Sequence, residues 1–172
     1  MRYPVGVWPP MAGWMDESVG QLERTLVYRA FHDLGICETP LGSNRSGRID
    51  AYNLDAGVTV GSAYCASTYG RWMRDCKCRV PAGYASCDNW LKFARRTGTL
   101  VKAPRIGYGI LYGVGEDAQH IGLVIRVTPL LRTIENNTSI SGFDPNGYGC
   151  EMKNVTDKML KRVLGYIKPI PV

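Results

Sequence analysis

The chain has 172 residues, enough for one ordinary domain with a real core, and its 45% hydrophobic content excludes a disordered protein. No Pro/Ser-rich linker, low-complexity tract or internal repeat divides it, so residues 1–172 read as a single domain with 1–15 as an N-terminal arm. The net charge of +6 favours anionic partners in general, nucleic acid or an anionic cell wall among them, yet the basic residues are scattered.

The arm, MRYPVGVWPPMAGWM, holds Pro4, Pro9 and Pro10 and lacks the continuous apolar core of a secretory signal. The longest apolar runs are too short to span a bilayer. The expectation is a protein made in the cytoplasm, without stable membrane insertion, which something else must release if it acts outside.

Residues 16–34 predict a helix, because Leu22, Leu26, Val27, Ala30, Phe31 and Leu34 recur at helical spacing. Asp16 or Ser18 would cap it and Gly35 would end it. The stretch from Glu38 to Asp50, with Pro40, Gly42, Asn44 and Gly47, reads as loop. A second helix is expected from Ser62 through Trp72, and a third over 87–97 with Ser86 as its cap and Gly98 as its stop. Trp72 and Trp90 fall at core-like positions on these helices. Trp8 and Trp14 would tie the arm to the body.

Beyond Pro104 the pattern changes. Segments 106–112, 120–127 and 131–136 are short, rich in β-formers and bounded by Gly, Pro and Asn, as strands are. A short helix at 156–163 and a last strand at 164–168 complete the chain. Helices first and an antiparallel sheet after them predict an α+β domain. Gly107-Tyr108-Gly109 and Gly113-Val114-Gly115 lack a following helix and a Lys, so they read as strand turns rather than nucleotide loops.

The candidate chemistry starts at Cys65, placed in the first turn of the second helix. A thiol attacks as its thiolate, and a helix N-terminus stabilises that anion through unpaired N–H groups and the helix dipole. His120 opens an apolar strand, from which its imidazole could reach a helix end and serve as base. His32, the other histidine, falls opposite the apolar face of the first helix and reads as a solvated residue. On the next strand, Glu135 or Asn137 could accept the ring N–H of His120 and fix its tautomer. Tyr64, beside Cys65, is the candidate for lining a substrate groove.

Cys76-x-Cys78 with Cys87 resembles three ligands of a zinc knot, with Cys37 or Cys150 as a fourth, but no CxxC pair is present. A disulfide among these three is a second possibility and ordinary thiols a third. The last is preferred, since neither the length nor the missing signal fits a disulfide scaffold.

These residues form segments that resemble one family. Gly61-Ser62-Ala63-Tyr64-Cys65-Ala66 is similar to the nucleophile motif of the CHAP-type amidases and endopeptidases, usually Gly-x-Pro-Trp-Cys-Ala. His120-Ile121-Gly122-Leu123-Val124 resembles their His-x-Gly-aliphatic-Val strand. Thr133-Ile134-Glu135-Asn136-Asn137-Thr138-Ser139 resembles their Ile-Glu-Gly-Asn-Thr-Ser segment. Upstream, Gly42-Ser43-Asn44-Arg45 and Arg48-Ile49-Asp50-Ala51-Tyr52 resemble stretches of phage-associated members, and residues 162–169 their closing strand. The resemblance covers roughly residues 36–170. Tyr64 replaces the usual Trp and Ala63 the usual Pro. The family's Pro-Gly-Asp reads Arg105-Ile106-Gly107-Tyr108, and the Asp-rich calcium loop of some members is absent.

The resemblance implies a papain-like CHAP fold and hydrolysis of an amide in the peptide part of peptidoglycan, without metal or cofactor. Cys65 would be the nucleophile, His120 its base and Glu135 or Asn137 the orienting group. With no signal and no appended wall-binding domain in residues 1–172, the expectation is a phage endolysin that acts on the bacterial cell wall as a monomer. An injected antibacterial amidase or a non-catalytic wall-binding module are the alternatives. A lysin would need a holin-type release partner, and an effector an immunity protein. Nucleic acid is not expected as a partner, since charge alone supports it, without a basic helix or aromatic repeat.

Overall fold

The computed structural model describes residues 18–138 and 147–172. The expectations for the 1–15 arm, Trp8, Trp14, the Asp16 cap and Ser139 lie outside the described residues.

Helix α1 spans Gln21–Phe31 and buries Leu26, Val27, Ala30 and Phe31 along one stripe. It starts behind Gly20, three residues after the cap expected at Ser18, and Gly35 turns the chain beyond it with φ 83°. His32 is exposed, as its helical position predicts.

Helix α2, Gly47–Asp55, stands where part of a loop was expected. Gly47 and the polar residues before it hide the signal. The deciding features are the Ser46 side chain, which accepts a bond from the Ile49 N–H, and the buried Ile49, Tyr52 and Asn53.

Helix α3 spans Cys65–Asp75, later than the start expected at Ser62. Tyr64 precedes it and supplies no side-chain cap. Eight of its eleven residues are buried, which makes it the central helix. Helix α4, Cys87–Arg96, matches its expectation closely, with Ser86 accepting from the Asn89 N–H and Gly98 at φ 68° after its end. Trp72 and Trp90 are both 0% exposed, and the Tyr69 ring packs edge-on against each.

Six strands follow the helices: β1 (Leu100–Val101), β2 (Gly109–Val114), β3 (Asp117–Arg126), β4 (Arg132–Thr138), β5 (Gly149–Asn154) and β6 (Val163–Ile167). The four-residue helix α5, Asp157–Leu160, lies between the last two. The sheet runs in the order β1-β6-β2-β3-β4-β5, with every neighbouring pair antiparallel. This is an α+β arrangement, as the order of elements predicts. Strands β1 and β5 were not anticipated: β1 has two residues, and β5 is polar (GCEMKN). Their pairing with β6 and β4 decides them, rather than local propensity.

The sheet separates two cores, because side chains alternate between its faces. Leu111, Ile121, Leu123 and Ile134 join the helices in the larger cluster. Ile110, Tyr112, Val124 and Tyr166 form a second cluster with Leu131 and Met159.

Behind the helices lies a buried ion-pair network centred on Asp33, which is 0% exposed. It accepts from the Trp72 indole at 2.7 Å and the Tyr52 hydroxyl at 3.0 Å, and pairs with Arg29 at 3.1 Å and Arg48 at 2.8 Å. This network joins α1, α2 and α3. Nearer the surface, Arg74 pairs with Asp55 at 2.7 Å, and Arg71 with Asp75 at 2.8 Å and with Asp55 at 3.7 Å. No helix among the described residues is long and apolar enough to cross a membrane.

Candidate active site

Cys65 is the first residue of α3, where the helix's first N–H groups have no partner within it, and the Ala66 N–H bonds the Cys65 sulfur. The loop before it is held from two sides. Asn53, buried on α2, donates from its side-chain amide to the Ser62 carbonyl at 2.9 Å. Gly61 turns with φ 84° and lies over the Ser43 carbonyl.

His120 sits on β3 opposite Tyr112 of β2, and the two rings stack with centroids 5.9 Å apart. Glu135 lies on β4 opposite Gly122 of β3. His120 and Gly122 are two residues apart and share a sheet face, which places the Glu135 carboxylate diagonally across from the imidazole. His120 Nε2 and Glu135 Oε2 are 3.1 Å apart. Gly122 makes room for this contact: a Cβ there would come within 2.6 Å of Glu135 Cγ.

The carboxylate is held on several sides. Tyr112 donates its hydroxyl to Oε1 at 2.9 Å, and Thr133 does so at 2.7 Å. Burial disfavours its charge, yet the bonds from His120 and Thr133 and the nearby Lys153 ammonium outweigh that and hold the carboxyl below the usual range. Tyr112, Thr133 and Lys153 were not anticipated. Alternation along β2 and β4 could have found Tyr112 and Thr133. Lys153 lies on the unanticipated β5, and no local signal marks it.

Because Nε2 faces Glu135, Nδ1 is the nitrogen left for the sulfur of Cys65, to which His120 is hydrogen-bonded. The Cys65 thiol is shifted well below its ordinary value. The largest cause is a hydrogen bond from Cys87; burial opposes it, and His120 and the Ala66 N–H add to it. Burial disfavours the charged imidazole, but the bonds and charges of Cys65 and Glu135 prevail and raise His120 to about 10. The resting pair is therefore a thiolate beside an imidazolium, enclosed at 7% and 3% exposure.

Cys87 does not join Cys76 and Cys78, the grouping that the zinc and disulfide alternatives required. It lies instead against the candidate nucleophile, with the two sulfurs 3.8 Å apart. Its thiol is pushed well above its ordinary value, first by its bond to the Cys65 sulfur and then by burial, so it keeps its proton and donates it. The Cys78 sulfur is directed at the Cys76 carbonyl. All six cysteines are free thiols, and among the described residues no group of three or more His, Cys, Asp or Glu is placed to hold a metal ion.

Tyr64 requires a correction. It was expected to line a groove, but it is 0% exposed and has no surface to offer a substrate. Burial and the nearby Glu38 push its phenol up, and the Asn137 backbone is among the groups facing it. The side chain is a prop beneath the start of α3. Asn137 is also buried, with φ 55°, at a register shift between β4 and β5. Glu135, not Asn137, supplies the carboxylate bonded to His120.

A separate cavity of about 550 Å³ lies beside the start of α1, lined in part by Glu23, Arg105, Tyr108 and Arg126. It contains none of Cys65, His120 and Glu135. Comparison with protein-family models, with curated proteins and with solved structures gives no match to this chain.

Proposed function

We propose that this chain is a cysteine-dependent peptidoglycan hydrolase of the papain-like CHAP type, cleaving an amide in the cell-wall peptide. The observation that carries this reading is the unbroken chain from Cys65 through His120 to Glu135, with the sulfur at a helix start and the carboxylate 3.1 Å from the ring. The resemblance of residues 61–66, 120–124 and 133–139 to the family's three motifs supplies the substrate class.

The Cys65 thiolate attacks the amide carbonyl, and the Cys65 N–H at the start of α3 receives the developing oxyanion. His120 gives its proton to the leaving amine as the intermediate collapses to a thioester. His120, now neutral, takes a proton from water, which attacks the thioester and releases the carboxylate product and the Cys65 sulfur. Glu135 keeps the ring oriented and stabilises its charged form throughout. No step requires a metal.

The reading accommodates a phage lysin, which would depend on a holin-type partner for release, and an injected effector, which would be paired with an immunity protein. The test is incubation of the protein with purified peptidoglycan, with and without EDTA, followed by mass spectrometry of the soluble fragments. The expected result is new amine and carboxyl ends at one type of amide bond, at the same rate with chelator. Binding to the wall with no fragment released would replace the enzyme reading with that of a wall-binding module. Complete loss of cleavage in EDTA, restored by zinc, would replace the cysteine mechanism.

A further inference from the structure

Two helix starts meet at the site, and each begins with a cysteine. Cys65 opens α3 and Cys87 opens α4, and their sulfurs are 3.8 Å apart. The start of α4 is fixed to the same strand that carries His120, because Asp88 Oδ1 accepts the Ala118 N–H at 2.9 Å. Both cysteines are buried, with 7% and 8% of their surface left exposed. The hydrolysis derived above uses Cys65 alone and gives Cys87 no bond to make or break.

We propose that Cys65 and Cys87 form a modification site at which a hydroperoxide converts the two thiols into a reversible intramolecular disulfide. The inference rests on the same thiolate as the hydrolase reading, but not on the identity of the substrate.

The Cys65 thiolate attacks one oxygen of hydrogen peroxide. An S–O bond forms, the O–O bond breaks, and the leaving hydroxide takes the His120 proton to become water. Once Cys65 is a neutral sulfenic acid, the thiolate that chiefly held the Cys87 proton in place is gone, and Cys87 attacks the Cys65 sulfur as it gives up that proton. An S–S bond forms, the S–O bond breaks, and the departing hydroxide leaves as water with the Cys87 proton. In sum, two thiols lose two electrons and two protons, and one peroxide becomes two waters. Bonded sulfurs lie about 2.05 Å apart, so the present gap must close by about 1.8 Å. The disulfide blocks the nucleophile until a thiol reductant returns it. Without Cys87, the sulfenic acid would go on to sulfinic acid, which thiols do not reverse.

The two cysteines fall in separate tryptic peptides, residues 49–71 and 80–92, each with no other cysteine. The folded protein is exposed to two equivalents of hydrogen peroxide, the amount that carries one thiol to sulfinic acid, denatured in excess alkylating agent, digested and weighed. The expected product is a 49–71/80–92 cross-link lighter by two hydrogens than the sum, lost after dithiothreitol, with the other four cysteines alkylated. In Cys87→Ser the 49–71 peptide is expected to gain two oxygens irreversibly. A wild-type Cys65 that reaches the sulfinic acid while Cys87 remains alkylated overturns the proposal, as does a cross-link to any other cysteine. Neither readout uses wall hydrolysis, so failure here leaves the hydrolase reading standing, and failure of that reading leaves this one testable.

Discussion

His120 and Glu135 meet across two strands, ring nitrogen to carboxylate at 3.1 Å, at positions 3% and 1% exposed. In Glu135→Gln the amide can still accept from Tyr112 and Thr133, so the fold should persist. The negative charge that stabilises the imidazolium is removed. The rate of wall cleavage is expected to fall by about 10²–10⁴-fold, the range for general acid–base assistance, and the His120 pKa measured by NMR should drop.

Gly122→Ala tests the space on which that contact depends. The added methyl would press on Glu135 Cγ, 2.6 Å from its position, and on the Ile134 carbonyl at 3.2 Å. Overpacking of this kind costs about 1–3 kcal/mol. Displacement of Glu135 is expected to slow cleavage more than the fall in stability explains, seen by comparing cleavage rate with urea midpoint.

The ion pair sets a pH window. Cys65 is shifted well below 9.0 and His120 rises from 6.5 to about 10. Cleavage needs the thiolate to attack and the imidazolium to give up a proton. It should hold through neutral pH, fall as pH rises through about 10, and fall in acid as the sulfur takes up a proton. The stability contribution follows from counting protons. Within the window the folded pair binds one. Unfolded, the two groups bind two protons below 6.5, one between 6.5 and 9.0, and none above. The pair therefore adds stability as pH rises to 6.5, gives a plateau to 9.0, and loses stability from there to about 10. Urea melts of wild type and Cys65→Ala across this range isolate the contribution.

The Asp33 network predicts a purely structural effect. Asp33→Ala leaves Arg29 and Arg48 without their shared partner and removes the acceptor of the Trp72 indole. Arg29 keeps Asp75 at 2.7 Å and Arg48 is half exposed, so the loss is chiefly that of the buried bonds from Trp72 and Tyr52, about 1–3 kcal/mol. Urea denaturation should show that loss, with a smaller one in Asp33→Asn.

Much of this fold is legible in the sequence where local signals are complete. Helix α4 is bracketed by Ser86 and Gly98 and lies almost where those residues put it. Helix α2 was missed because Gly47 and the polar run before it resemble loop, while its real support is burial of Ile49 and Tyr52 against partners distant in sequence. Strand β5 was missed for a similar reason, since its pairing with β4 offsets a composition poor in strand formers.

At the site, residue type and chain order single out Cys65, His120 and either Glu135 or Asn137 as candidates, but not what surrounds them. The choice of Glu135 over Asn137 depends on the register of β3 against β4. The approach of Cys87 to Cys65 depends on how two helices converge, and no spacing in the sequence encodes that. Tyr64 was misjudged because adjacency to Cys65 in sequence was taken for adjacency to solvent, whereas its ring turns into the core.

The most direct test compares wild type with Cys65→Ala on purified peptidoglycan, scoring released fragments and confirming the variant's fold by circular dichroism. The account predicts that the folded variant releases none while wild type does. A folded variant that still cleaves at the wild-type rate would contradict it.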